Sequence, residues 1–200
     1  MTEVIALLRL VVACVIFAVD LVASSATFLP ESDGWHSWEV PAGSQGTRAC
    51  CYNIRNGVVG KAGCRLDPGA GGLSLDADCE PLSDTLRVYV FRDGGQVREI
   101  RALSADCPVE ASSAVEAMGA MDAEASIAWL VQQAQGGTSI AEDAVIALAM
   151  HADDVALPAL QSLVEDRSQD RELREQALFW LAQSDSDEAY RYIDSLLGRR

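Results

Sequence analysis

Histidine is nearly missing from this chain of 200 residues: only His36 and His151 are present. Zinc sites and general-base chemistry draw heavily on histidine, and neither copy sits in metal-ligand spacing, so metalloenzyme and hydrolase readings have little support. Basic residues are scarce as well, with 15 Lys plus Arg against 30 Asp plus Glu and a formal net charge of −15. A surface of that sign repels phosphate backbones, whose neutralisation supplies most nucleic-acid affinity, so DNA and RNA are poor partners. A protein partner of basic character fits better.

The motifs that would carry chemistry are absent or broken. There is no G-x-S-x-G nucleophile elbow. Gly57-Val-Val-Gly60-Lys61-Ala62 fails as a phosphate loop, because Arg55 stands where a glycine is required and Ala62 replaces the hydroxyl residue that would hold magnesium. Asp76-Ala-Asp78-Cys79-Glu80 opens like a calcium loop, yet Pro81 takes the glycine position and Arg87 the bidentate glutamate position. No catalytic residue, cofactor or metal ligand is predicted, and the expectation is a protein that is not an enzyme.

What is present begins with a hydrophobic content of 50%, ample for a packed core. The apolar run Leu10–Val19 follows Arg9, and small Ser24 and Ala26 stand where a signal peptidase needs them. Residues 1–26 are therefore expected to be a signal peptide, making the protein periplasmic or secreted and leaving no stable membrane insertion after cleavage. The alternative is an uncleaved anchor over Ile5–Ala26, which would place Arg9 and Asp20 in the bilayer.

Export changes the meaning of cysteine. Removing Cys14 with the leader leaves Cys50, Cys51, Cys64, Cys79 and Cys107. In an oxidising compartment these are candidate disulfide residues stapling a small module. Five is odd, so two bridges and one unpaired or intermolecular thiol is the simplest arrangement, with the connectivity open. Such a thiol would permit the alternative function, a redox or enzyme-accessory role for the Cys50-Cys51 module.

Residues 27–107 read as loop-rich β structure. Short extended stretches, Trp38–Val40 and Ala49–Ile54, are separated by turn formers such as Asn56-Gly57 and Asp67–Gly72. Leu86, Val88 and Val90 alternate with Arg87, Tyr89 and Phe91, and Arg92-Asp93-Gly94-Gly95 turns the chain into Gln96–Leu103, a predicted hairpin. From residue 108 to the end the period is helical, and this region carries 17 acidic residues against 6 Arg.

That second half echoes itself at a spacing of 33 residues. Ala144, Leu148, Asp154, Ala156, Leu160 and Leu163 are answered by Ala177, Leu181, Asp187, Ala189, Ile193 and Leu196. Ala123, Ile127, Leu130 and Val131 supply an earlier copy of the second helix. The first helix of that copy is expected in degraded form around Ala111–Ala117. Asp154 and Asp187 are expected to cap the second helices, with Pro158 in or just past a first turn. Such periodicity marks stacked units, each unable to bury its apolar face alone.

Arg174-Glu-Gln-Ala177-Leu-Phe-Trp180-Leu181, followed by Asp185 and the Ala189, Ile193, Leu196 helix, resembles the short HEAT-like repeats of bacteria, the type also seen in phycobilisome lyase subunits. The likeness is good over 171–198, fair over 140–166, and limited to the second helix over 123–135. Ala141 stands where Arg174 would be matched. The resemblance implies an α-solenoid whose second helices line a concave binding face, and it implies no catalysis.

The expected fold class is thus α+β: a small disulfide-stapled β-rich module at 27–107, then a short HEAT-like α-solenoid at 108–200. The expected function is non-catalytic protein binding or scaffolding outside the cytoplasm. Candidate contact residues are Gln161, Glu165 and Asp194, outward on the second helices, with Trp180 and Tyr190 as aromatic anchors.

Overall fold

Strand β1 (Gly34–Pro41) is buried on both of its faces, and the rest of the fold is arranged to cover it. The later strands are β2 (Tyr52–Arg55), β3 (Val58–Lys61), β4 (Cys64–Arg65), β5 (Thr85–Asp93), β6 (Gln96–Ser104), β7 (Val109–Glu110) and β8 (Val115–Ala120). Five helices follow: α1 (Ala123–Gln135), α2 (Ala141–Ala149), α3 (Asp153–Glu165), α4 (Arg171–Gln183) and α5 (Asp187–Leu197). The computed structural model describes residues 28–44, 46–50, 52–55, 58–61, 64–66, 83–137 and 139–198, without the side chains of Arg48 and of 52–61. The chain divides into two compact units, Met1–Pro30 and Glu31–Arg200. The predicted signal peptide, Cys51 and Cys79 lie outside the described residues.

The main sheet has the order β6-β5-β1-β8, antiparallel except for the parallel pair of β1 with β8. The predicted hairpin is its longest part: β5 and β6 pair out to Asp93 and Gln96, and Gly94 and Gly95 both take positive φ, as a two-residue primed turn requires. Both carboxylate oxygens of Asp33 accept from those two glycine amides at 3.1 Å.

Alternation sends the two sides of β1 to different layers. His36, Trp38 and Val40, opposite Val90, Val88 and Leu86, face the helices, and Trp38 meets Trp129 of α1 edge-on at 5.5 Å. Trp35 on the other face joins Tyr89, Leu103, Leu66, Cys50, Cys64 and Cys107 in a second core. Ordinary burial contributes about 1.5–3 kcal/mol for each large apolar side chain, so neither layer is dispensable.

A β module followed by a HEAT-like α-solenoid is not what forms. The sheet takes in residues 115–120, beyond the expected module, and the five helices that follow form no long solenoid. The segment expected to be a degraded helix around Ala111–Ala117 instead runs into strand β8. Its Ala and Glu are good helix formers, but intrinsic propensity is a small term, while the open edge of β1 offers a ladder of backbone hydrogen bonds, and tertiary pairing wins.

Within the helical half, Ala144 and Ala177 are fully buried, as are Leu148 and Leu181. Asp154 and Asp187 do not cap. Each lies in the first turn of its helix, where it opposes the positive dipole end, and the caps are Ala152 for α3 and Ser186 for α5.

A backbone joint ties β1 to the helices. Gly43 N–H donates to the Met150 carbonyl at 2.9 Å, and Ala152 N–H donates to the Pro41 carbonyl at 3.1 Å. The approach is so close that a Cβ on Gly43 or Gly46 would overlap the carbonyl oxygen of His151 or Met150 respectively.

Candidate functional site

Helix α4 buries Leu173, Ala177 and Leu181, one stripe at a spacing of four, against its neighbours. That leaves Glu172, Gln176, Phe179 and Trp180 beside the stripe, facing Glu142 and Ile146 of α2 across a groove of about 350 Å³. A second groove of about 280 Å³ shares Glu142, Glu172 and Gln176 with the first and continues to Asp170 and Ser139. Phe179 is 54% exposed and stands edge-on to Trp180 at 5.4 Å. No Lys or Arg lines either groove. Glu175 is paired with Arg171 at 2.7 Å, whereas Glu142 and Glu172 have no ion-pair partner among the described residues. Both occupy the first turns of their helices. The groove therefore combines an exposed aromatic edge with uncompensated negative charge.

A different constellation has nucleophile-and-base geometry but lies sealed in the core. Trp38 Nε1–H donates to Ser126 Oγ at 2.8 Å, and Ser126 Oγ lies 2.8 Å from His151 Nε2. His151 Nδ1 lies 2.8 Å from the Ala147 carbonyl, which can only accept, so the ring proton is on Nδ1. Ser126 O–H then donates to the bare Nε2. Burial pushes the His151 pKa down to about 4, keeping the imidazole neutral. Serine and histidine sit at nucleophile-to-base distance, but both are 0% exposed and no substrate can reach them. The chain is a fully satisfied polar strut from β1 through α1 to the end of α2. Sequence reading missed this pairing. The available signal was Ser126, a polar residue four before Leu130 on an otherwise apolar stripe.

The predicted site residues are not brought together. Gln161 is half-buried and Glu165 exposed on α3; Tyr190, 54% exposed, and Asp194 lie one turn apart on α5. None of these four lines the α2–α4 groove, and Trp180 is the one member of the set that does. The apolar recess between the second helices α1 and α3 is lined by Ile127, Ala128, Val155, Pro158 and Ala159 with Glu124 and Asp154 at its rim.

The cysteines do converge. Cys50 and Cys107 are disulfide-bonded. Cys64 is disulfide-bonded too, and its Sγ lies 3.7 Å from that of Cys107. All three are buried at 5% exposure or less.

No family model, no curated protein and no solved structure matches the chain. Among the described residues no helix is long and apolar enough to cross a membrane.

Proposed function

We propose that this is a non-catalytic binding protein acting outside the cytoplasm, and that it holds a basic protein segment in the groove between α2 and α4. The observation that carries the reading is the pairing of an exposed aromatic edge, Phe179 on Trp180, with the unpaired carboxylates of Glu142 and Glu172 in a groove that no cation lines. Aromatic anchors in a recess supply most binding energy at interfaces, and rim charges set partner sign and association rate. A segment presenting Lys or Arg beside an apolar residue is the complementary chemistry. The disulfide-bonded state of Cys50, Cys64 and Cys107 supports an oxidising compartment.

The test places a photocrosslinking residue at Gln176 in the full chain inside cells, with Ala128 in the recess between α1 and α3 as the control position. Capture of a partner with a basic contact segment at Gln176 alone is expected. Replacing Glu142→Lys and Glu172→Lys together should cut that capture by roughly tenfold or more, because the reversal sets like charge against a basic segment. Equal capture at both positions, or capture indifferent to the charge reversal, defeats the reading.

A further inference from the structure

The sulfur atoms of Cys50, Cys64 and Cys107 all lie within 4.8 Å of one another, inside a core that also holds Trp35, Leu66, Tyr89 and Leu103. Their placement does not depend on the bridges alone. Cys64 N–H donates to the Pro108 carbonyl at 2.8 Å, Cys107 N–H to the Ser104 carbonyl at 2.9 Å, and Ser104 N–H to the Ala49 carbonyl at 2.8 Å. These bonds run between the residues carrying or adjoining all three cysteines, and strands β4 and β7 pair Cys64 with Val109. Opening the disulfides therefore leaves three thiols close together in one core, with Cys50 and Cys107 Sγ free to part.

The spacing has a chemical meaning. A tetrahedral ion with metal–sulfur bonds of about 2.3 Å holds its sulfurs about 3.8 Å apart, and the Cys64–Cys107 separation is already 3.7 Å. We propose that Cys50, Cys64 and Cys107, once reduced, form a thiolate site for a soft tetrahedral metal ion, with Zn²⁺ as its physiological occupant. A dithiol reductant breaks each disulfide by giving up two electrons, becoming a disulfide itself and leaving two protein thiols. Zn²⁺ then forms three Zn–S bonds as three protons pass to solvent, and its fourth corner stays open to water or a further thiolate. A disulfide-bearing oxidant reverses this by exchange, taking two electrons per bridge, being reduced to a dithiol itself and expelling the ion. The ion and the disulfides are alternative occupants of the same core, so metal content reports the redox state of the chain. The inference is independent of the α2–α4 groove.

The experiment uses the full chain, reduced with a water-soluble phosphine under inert gas and titrated with Co²⁺ as the probe. Expected are one Co²⁺ per chain, an intense tetrahedral d–d spectrum, a thiolate-to-cobalt charge-transfer band, displacement by Zn²⁺ and release by an oxidant. Each of Cys50→Ser, Cys64→Ser and Cys107→Ser should weaken binding by roughly tenfold or more. Far-UV circular dichroism recorded in parallel should keep its sheet signal. The proposal is overturned if the reduced chain binds Co²⁺ no better than the triple serine variant. It is equally overturned if binding is as tight in urea, or if reduction unfolds the chain and only that state binds, because loose cysteines would then be the ligands.

Discussion

His151 gives the sharpest prediction. Its pKa falls from the usual 6.5 to about 4 through burial, with the Ala147 carbonyl pulling weakly the other way. Between those values the unfolded chain binds a proton that the folded chain refuses. The contribution to stability is complete above the unfolded pKa, declines as pH drops through 6.5, and is gone below about 4. At 1.36 kcal/mol per unit the full swing is about 3 kcal/mol, of which about 2 kcal/mol is lost between roughly pH 7 and pH 5. The raised carboxyls of Asp143 and Asp153, each shifted first by burial, act with the opposite sign, gaining stability as they protonate. Urea unfolding of wild type and His151→Gln across this window separates the terms: the variant starts lower, having lost buried hydrogen bonds, and its curve should be flatter in pH by that 2 kcal/mol. Parallel curves would refute the buried neutral imidazole, as would an NMR titration of the His151 ring with a midpoint above about 6.

Three further outcomes follow from the same contacts. Ser126→Ala strips the Trp38 indole N–H and His151 Nε2 of their shared partner, and should cost about 2–3 kcal/mol of unfolding free energy, a loss that Ser126→Thr would not reproduce if the hydroxyl alone matters. Gly46→Ala drives a methyl into the Met150 carbonyl, with an expected loss of about 2–4 kcal/mol by thermal or urea melting; an unchanged midpoint would mean the joint between β1 and the helices is not closed. Removing the Cys50–Cys107 bridge by paired alanines frees a separation of 57 residues and should cost about 4 kcal/mol by the chain-entropy estimate, read as a shift in urea midpoint.

Local patterns in the sequence were legible where they agreed with the final packing. The alternation in Leu86, Val88 and Val90 and the paired glycines specify the β5–β6 hairpin, and the Leu148 and Leu181 stripes specify buried helix faces. Strand β8 was hidden because its reason to be a strand lies in β1, far away in the chain. Asp154 and Asp187 were misplaced by two residues and one, enough to turn a cap into a first-turn charge. The site reading went to the second helices because the resemblance pointed there. The acidic groove between α2 and α4 was signalled in the sequence only by the aromatic pair at Phe179 and Trp180. Convergence of Cys50, Cys64 and Cys107 depends on which strands meet, which cysteine counting alone cannot give.

The central position of β1 sets a clock on synthesis. It is the first strand of the sheet to be made, yet its indole Trp38 waits for Ser126, 88 residues downstream, and its parallel edge waits for β8. At about 5–20 residues per second of translation, that interval is roughly 4–18 s during which β1 stays unfinished on both its helix-facing side and one edge. Any factor that guards nascent chains would find its longest task at Gly34–Pro41.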